Sequence, residues 1–194
     1  MKSDVIHIKK DGTGLNEALA QAEAVAVYKQ LPKQEALHLR LLTEEMAGML
    51  RAMTGKSEGD FWIEDEKGKF ALHLRTNVFV HAEMREKLMG VSTSGKNISA
   101  KGFIGKMVEL FEQAFEPIDD KGQIYSPDPA LSDYSGVGYT PVWTLAGYRS
   151  AAQNGEVDQE DWDELEKSVV VHLADEIEVG VRGNVVEMII TKKI

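Results

Sequence analysis

The sequence predicts an α+β fold, a two-layer sandwich in which helices cover one face of a mixed, mostly antiparallel sheet. Three observations point there. Two stretches alternate apolar and polar residues on either side of a tight turn, which is the mark of a β-hairpin with one face buried. Several other stretches repeat apolar residues at helical spacing. In order, strand and helices precede the first hairpin, and further helices precede the second, so neighbouring strands pair locally and the helices are left for one face.

The elements follow in turn. Val5, Ile6 and Ile8 read as a strand that ends at the turn Asp11-Gly12-Thr13-Gly14. Leu15, Ala18, Leu19, Ala22 and Val25 set a helix running to about Gln30, with Thr13 as its expected cap. Pro32 opens a second helix, since its missing N–H costs nothing in a first turn. Leu39, Leu42, Met46, Met49, Leu50 and Met53 form its apolar stripe, and Thr54-Gly55 ends it. In the first hairpin Phe61 and Ile63 alternate with Trp62 and Glu64. Lys67-Gly68-Lys69 turns the chain, and Phe70, Leu72 and Leu74 alternate with Ala71, His73 and Arg75.

A polar helix is expected over 82–89, a loop over Gly90 to Lys101, and an amphipathic helix carrying Phe103, Met107, Leu110, Phe111 and Ala114. Pro117 to Thr140 shows no periodicity. Pro141 reads as a helix start, with the helix extending to about Gln153. A further helix is expected from Val157-Asp158 through Trp162 and Leu165 toward Leu173. The closing hairpin spans Ile177 to Val181, the turn Arg182-Gly183-Asn184, and Val185 to Thr191. No internal repeat is visible, and the 194 residues suit one domain with an atypical insertion at about 117–156.

Composition narrows the function. Acidic residues outnumber basic ones, 32 to 22, for a net charge of −10. Such a chain has no general attraction to nucleic acid or to an anionic membrane. No stretch approaches the roughly 20 apolar residues that span a bilayer. There is no cysteine, which removes disulfides, thiolate nucleophiles and cysteine-ligated zinc and suits a cytoplasmic protein. The five histidines, His7, His38, His73, His81 and His172, do not fall at metal-binding spacings. His73 lies on the non-core face of its strand, so a solvated or partner-facing ring is expected. The acidic run from Asp158 to Glu166 suits the start of a helix, where the backbone dipole favours negative charge, and could dock a basic partner.

Gly90 to Lys96 fits GxxxxGK, a pattern whose glycines let backbone N–H groups approach phosphate. Asn97 stands where a magnesium-holding Ser or Thr belongs, and the charged approach from Ala82 to Lys87 is no buried strand, so a mobile polar loop is the plainer expectation. Lys96, Lys101 and Lys106, with Gly102 and Gly105, could instead form an anion-binding lid at a helix N-terminus.

Two stretches resemble a known family. Leu31 to Glu45 (LPKQEALHLRLLTEE) is similar to the run into the N box of the histidine-kinase-like ATPases, and a hairpin follows it. Ala174 to Val179, with Gly183, Val186, Met188 and Lys192, is similar to that family's terminal hairpin. The likeness is strongest to the anti-sigma factor serine kinases. It implies a histidine-kinase-like ATPase fold and assigns Glu45 the catalytic role of activating water or a substrate hydroxyl. It places the nucleotide site at Met49, Asn77, Ser94, Gly95, Lys96, Lys101, Gly102 and Gly105, with ATP and magnesium as the cofactor.

The chain departs from that pattern in ways that matter chemically. Met49 stands where the family has the asparagine that holds magnesium, and a thioether is a poor ligand for a hard cation. Arg75-Thr76-Asn77-Val78-Phe79 stands where the adenine-binding DxGxG should be. The resemblance therefore implies a regulatory module that binds a protein partner, a sigma-like factor or another regulator, with ATP binding lost or weakened. The alternative is an active serine kinase or ATPase with Glu45 as base and the Gly90 to Gly105 segment as phosphate lid. A third possibility is a small-molecule sensor with Tyr139 and Trp143 lining the pocket. A homodimer would follow from the likeness; no residue requires one.

Overall fold

The structure, a computed structural model, describes residues 1–9, 11–54, 58–77, 140–157, 159–166, 168–182 and 185–194. The expected helices over 82–89 and 103–114, the Gly90 to Lys101 loop and the irregular run from Pro117 through Tyr139 lie outside the described residues. The architecture is α+β. Among the described residues six strands form one sheet in the order β1-β2-β3-β6-β5-β4, and every described pairing is antiparallel. The strands are β1 (Ile6–Ile8), β2 (Gly59–Glu66), β3 (Lys69–Asn77), β4 (Thr140–Thr144), β5 (Glu176–Arg182) and β6 (Val185–Lys193). The helices are α1 (Leu15–Tyr28), α2 (Lys33–Thr54), α3 (Leu145–Gln153), α4 (Gln159–Glu166) and α5 (Val169–Leu173). No helix among the described residues is long and apolar enough to cross a membrane.

The core forms because each period puts its apolar residues on one side. Leu39, Leu42, Met46 and Met49 recur at steps of three and four along α2, and all are buried. Ala18, Ala22 and Ala26 give α1 a smooth face that lets it lie close to α2. From the sheet, Phe61 and Ile63 on β2 and Phe70, Leu72 and Leu74 on β3 enter the same core, joined by Ile177, Val179, Val186, Met188 and Ile190. The two-residue turn Lys67-Gly68 carries positive φ at both positions, 52° and 85°, which matches a hairpin turn to the strand twist.

Three expectations are corrected. Thr13 does not cap α1. Its N–H is taken by the Asp11 carboxylate at 2.8 Å, and Gly14, at φ 92°, is the capping residue. Pro141 does not open a helix: it sits in β4, an edge strand, where a missing N–H is tolerated, and a register shift follows it. The helix begins at Leu145, capped by Thr144, whose Oγ1 accepts the Gly147 N–H at 3.0 Å. The expected continuous helix toward Leu173 is broken at Ser168, whose backbone is extended, and the chain resumes as the short α5, which buries Val170 and Val171 and leaves Val169 exposed.

The sheet carries an internal symmetry of register that the sequence does not repeat. Lys69 pairs with Lys193 and Asn77 with Val185, so β3 and β6 meet end for end. Within each hairpin the ladders also agree, Asp60 with Arg75 and Glu176 with Thr191. The first hairpin thus maps onto the second with a constant offset, 185 − 69 = 116. Phe61, Ile63, Phe70, Leu72 and Leu74 correspond to Ile177, Val179, Val186, Met188 and Ile190, all buried. The repeat is one of register and burial, and the residues themselves differ.

At one corner of the sheet Asp65, 8% exposed, accepts hydrogen bonds from Lys29 Nζ and from the Gly68 N–H. The bond from Lys29 holds its carboxyl below the usual aspartate range. An aspartate so depressed contributes stability above its unfolded value, and that contribution is lost as pH falls through the folded one. Urea unfolding of Asp65→Asn against wild type is expected to show a deficit near neutrality that closes in acid. A deficit independent of pH would contradict the assignment.

Candidate functional site

Of the residues marked by the resemblance, the three among the described residues fall on two elements. Glu45 and Met49 lie one turn apart on α2 and so share a side of the helix. Glu45 is half-buried, and burial, followed by the neighbouring Glu44, raises its carboxyl above the usual range. Met49 is 5% exposed and belongs to the core cluster between α2 and the sheet. Asn77 is the exposed last residue of β3, paired with Val185. Next to it Thr76 turns inward, 5% exposed, and its hydroxyl donates to the Glu58 carbonyl at 2.6 Å. Within the stretch set against DxGxG by the resemblance, the Thr76 side chain is thus engaged in structure while Asn77 is exposed.

Ser94, Gly95, Lys96, Lys101, Gly102 and Gly105 lie outside the described residues, as does Tyr139. Trp143 is buried in the core beside Tyr148, their ring centres 5.9 Å apart. Among the described residues no group of three or more His, Asp or Glu side chains could hold a metal ion.

The opposite sheet face holds a cluster that the sequence did not announce. His73 is not solvated: it is 7% exposed, stacked on Trp62 with ring centres 4.7 Å apart and planes 7° from parallel. Register places the ring there, because Trp62, His73 and Ile189 face one another across β2, β3 and β6. Glu187, in the diagonal position, meets His73 Nδ1 through Oε1 at 3.1 Å. Its Oε2 accepts from Arg75 Nε at 3.2 Å and Nη2 at 2.9 Å. Burial pushes the Glu187 carboxyl up, but the bonds from His73 and Arg75 outweigh it, and the net result lies below the usual glutamate range.

Lys2 and Arg75 both sit over the Trp62 ring, 4.7 and 5.1 Å from its centre, where the negative face of the indole attracts cations. Lys2 also pairs with Glu64 Oε1 at 3.0 Å, which accepts from Trp62 Nε1 at 2.9 Å. Nothing in the sequence flags this cluster, since His73 and Glu187 are 114 residues apart. The only available signal was a Trp and a His on the non-core side of one hairpin.

Comparison of the chain with protein families, with curated proteins and with solved structures gives no match.

Proposed function

We propose that the chain is a non-catalytic regulatory module that binds a protein partner, on the histidine-kinase-like ATPase plan its sequence resembles. The observation that carries this reading is Met49. At the position the resemblance assigns to magnesium stands a thioether, 5% exposed and packed into the core. A buried thioether offers a hard cation no oxygen and leaves no room for one. The inward Thr76, bound to the Glu58 carbonyl, supports the same conclusion at the adenine end. The partner class is a sigma-like factor or another regulator, and a chain without cysteine suits the cytoplasm, where we place it.

One observation favours the enzyme alternative. Burial raises the Glu45 carboxyl's affinity for a proton, and a stronger base is what general-base catalysis calls for. Glu45→Gln separates the two. Because the folded state favours protonated Glu45, ionisation opposes folding, and stability falls as pH rises from its unfolded to its folded value. The variant is therefore expected to match or slightly exceed wild type in melting temperature at neutral pH, with MgATP turnover at background in both proteins. Turnover in wild type that the variant loses would establish the kinase or ATPase reading instead.

A further inference from the structure

We propose that the cluster on the sheet face opposite α1 and α2 is a proton-operated clasp, in which one proton taken up by His73 lets a single imidazolium bridge Glu64 on β2 and Glu187 on β6. A neutral imidazole has one N–H and one bare nitrogen. With Nδ1 donating to Glu187, the bare nitrogen is Nε2, and it is enclosed with no hydrogen-bond partner among the described residues. It faces Glu64 Oε2 at 3.9 Å, so two acceptors confront each other. Protonation turns Nε2 into a donor aimed at that oxygen. A charge-assisted bond then replaces the mismatch.

The surrounding charges admit the extra proton. Glu64 from β2, Glu187 from β6 and Glu178 from β5 face the ring, against Arg75 from β3 and Lys2. Asp60, diagonal on β2, is held by His7 at 2.8 Å, and Glu178 is flanked by Glu176 and Lys69. The Glu64 and Glu187 carboxyl groups, one beside each ring nitrogen, give an added positive charge an anion on either side. Glu64 can move toward the ring while remaining anchored, because Lys2 and Trp62 hold its other oxygen. The closed clasp would tie β2 to β6 across β3 and fasten Lys2 to the same face.

The test uses the full chain, with ¹⁵N signals of the His73 ring and amide exchange followed from about pH 8 to about pH 5.5. The expected result is that Nε2 becomes protonated as pH falls. Amides of the β2, β3 and β6 ladders should then slow by about tenfold beyond the intrinsic change in exchange chemistry. Glu64→Gln keeps the side chain's size at a half-exposed position, and it is expected to remove that slowing while leaving the fold intact. Either of two results overturns the clasp: a ring that keeps its neutral form throughout, or slowing that survives undiminished in Glu64→Gln.

Discussion

Met49→Asn is expected to destabilise the fold by about 3 kcal/mol without creating a site for MgATP. The substitution installs the residue that the ATPase pattern calls for. In this chain, however, position 49 faces the core among Met46, Leu42 and the inward residues of the sheet. Replacing the thioether by an amide gives up its apolar burial and leaves polar atoms without water, two costs in the same direction. Met49→Leu, which keeps the volume and adds no polar atom, is expected to cost less than about 1.5 kcal/mol. Urea midpoints of the two variants settle the matter. An asparagine tolerated as well as leucine would mean that position 49 opens onto a solvated pocket, and the non-catalytic reading would lose its main support.

The second large effect is expected at Gly14. A Cβ built there would lie 2.3 Å from the His7 carbonyl oxygen, and φ is 92°. Both the clash and the backbone strain oppose Gly14→Ala, and neither partner is a flexible side-chain tip that could swing away. A loss of about 3 kcal/mol is expected. Gly12 supplies the control, for its φ is 85° but nothing lies within 4 Å of the added Cβ. Gly12→Ala should therefore cost only about 1 kcal/mol, the strain alone. Equal losses at the two positions would show that the close approach between α1's first turn and β1 is not the deciding contact.

Much of the fold was legible because local chemistry decided it. Alternation in Phe61-Trp62-Ile63 and Phe70-Ala71-Leu72 gave both the strands and their buried side, and the step pattern of Leu39, Leu42, Met46 and Met49 gave α2 and its inward face. What failed was decided at longer range. Pro141 is compatible with a helix start or an edge strand, and its pairing with Gly180 chose the strand. Thr13 suits a cap by type, but it lies one residue too early: Gly14, at φ 92°, takes the cap position with no side chain to offer. The two hairpins share register and burial while differing in residues, so their equivalence shows only once β3 and β6 are paired.

The candidate site divides in the same way. Glu45 and Met49 were marked by the family resemblance; helical spacing by itself put only Met49 on the apolar stripe, and there it is buried. The His73–Glu187 pair depends on a strand pairing between chain segments 114 residues apart, and no local pattern encodes it. His73 was misjudged because a strand's outer face is ordinarily wet, whereas here Trp62 and Glu187 close over the ring.

The most direct measurement is a calorimetric titration of the full chain with ATP and ADP, with and without magnesium, paired with thermal unfolding in the same solutions. A core-packed Met49 predicts no heat of binding and no rise in melting temperature at roughly millimolar nucleotide. Binding that strengthens when magnesium is added would contradict that account and make the chain a nucleotide-dependent protein with a rearranged ligand set.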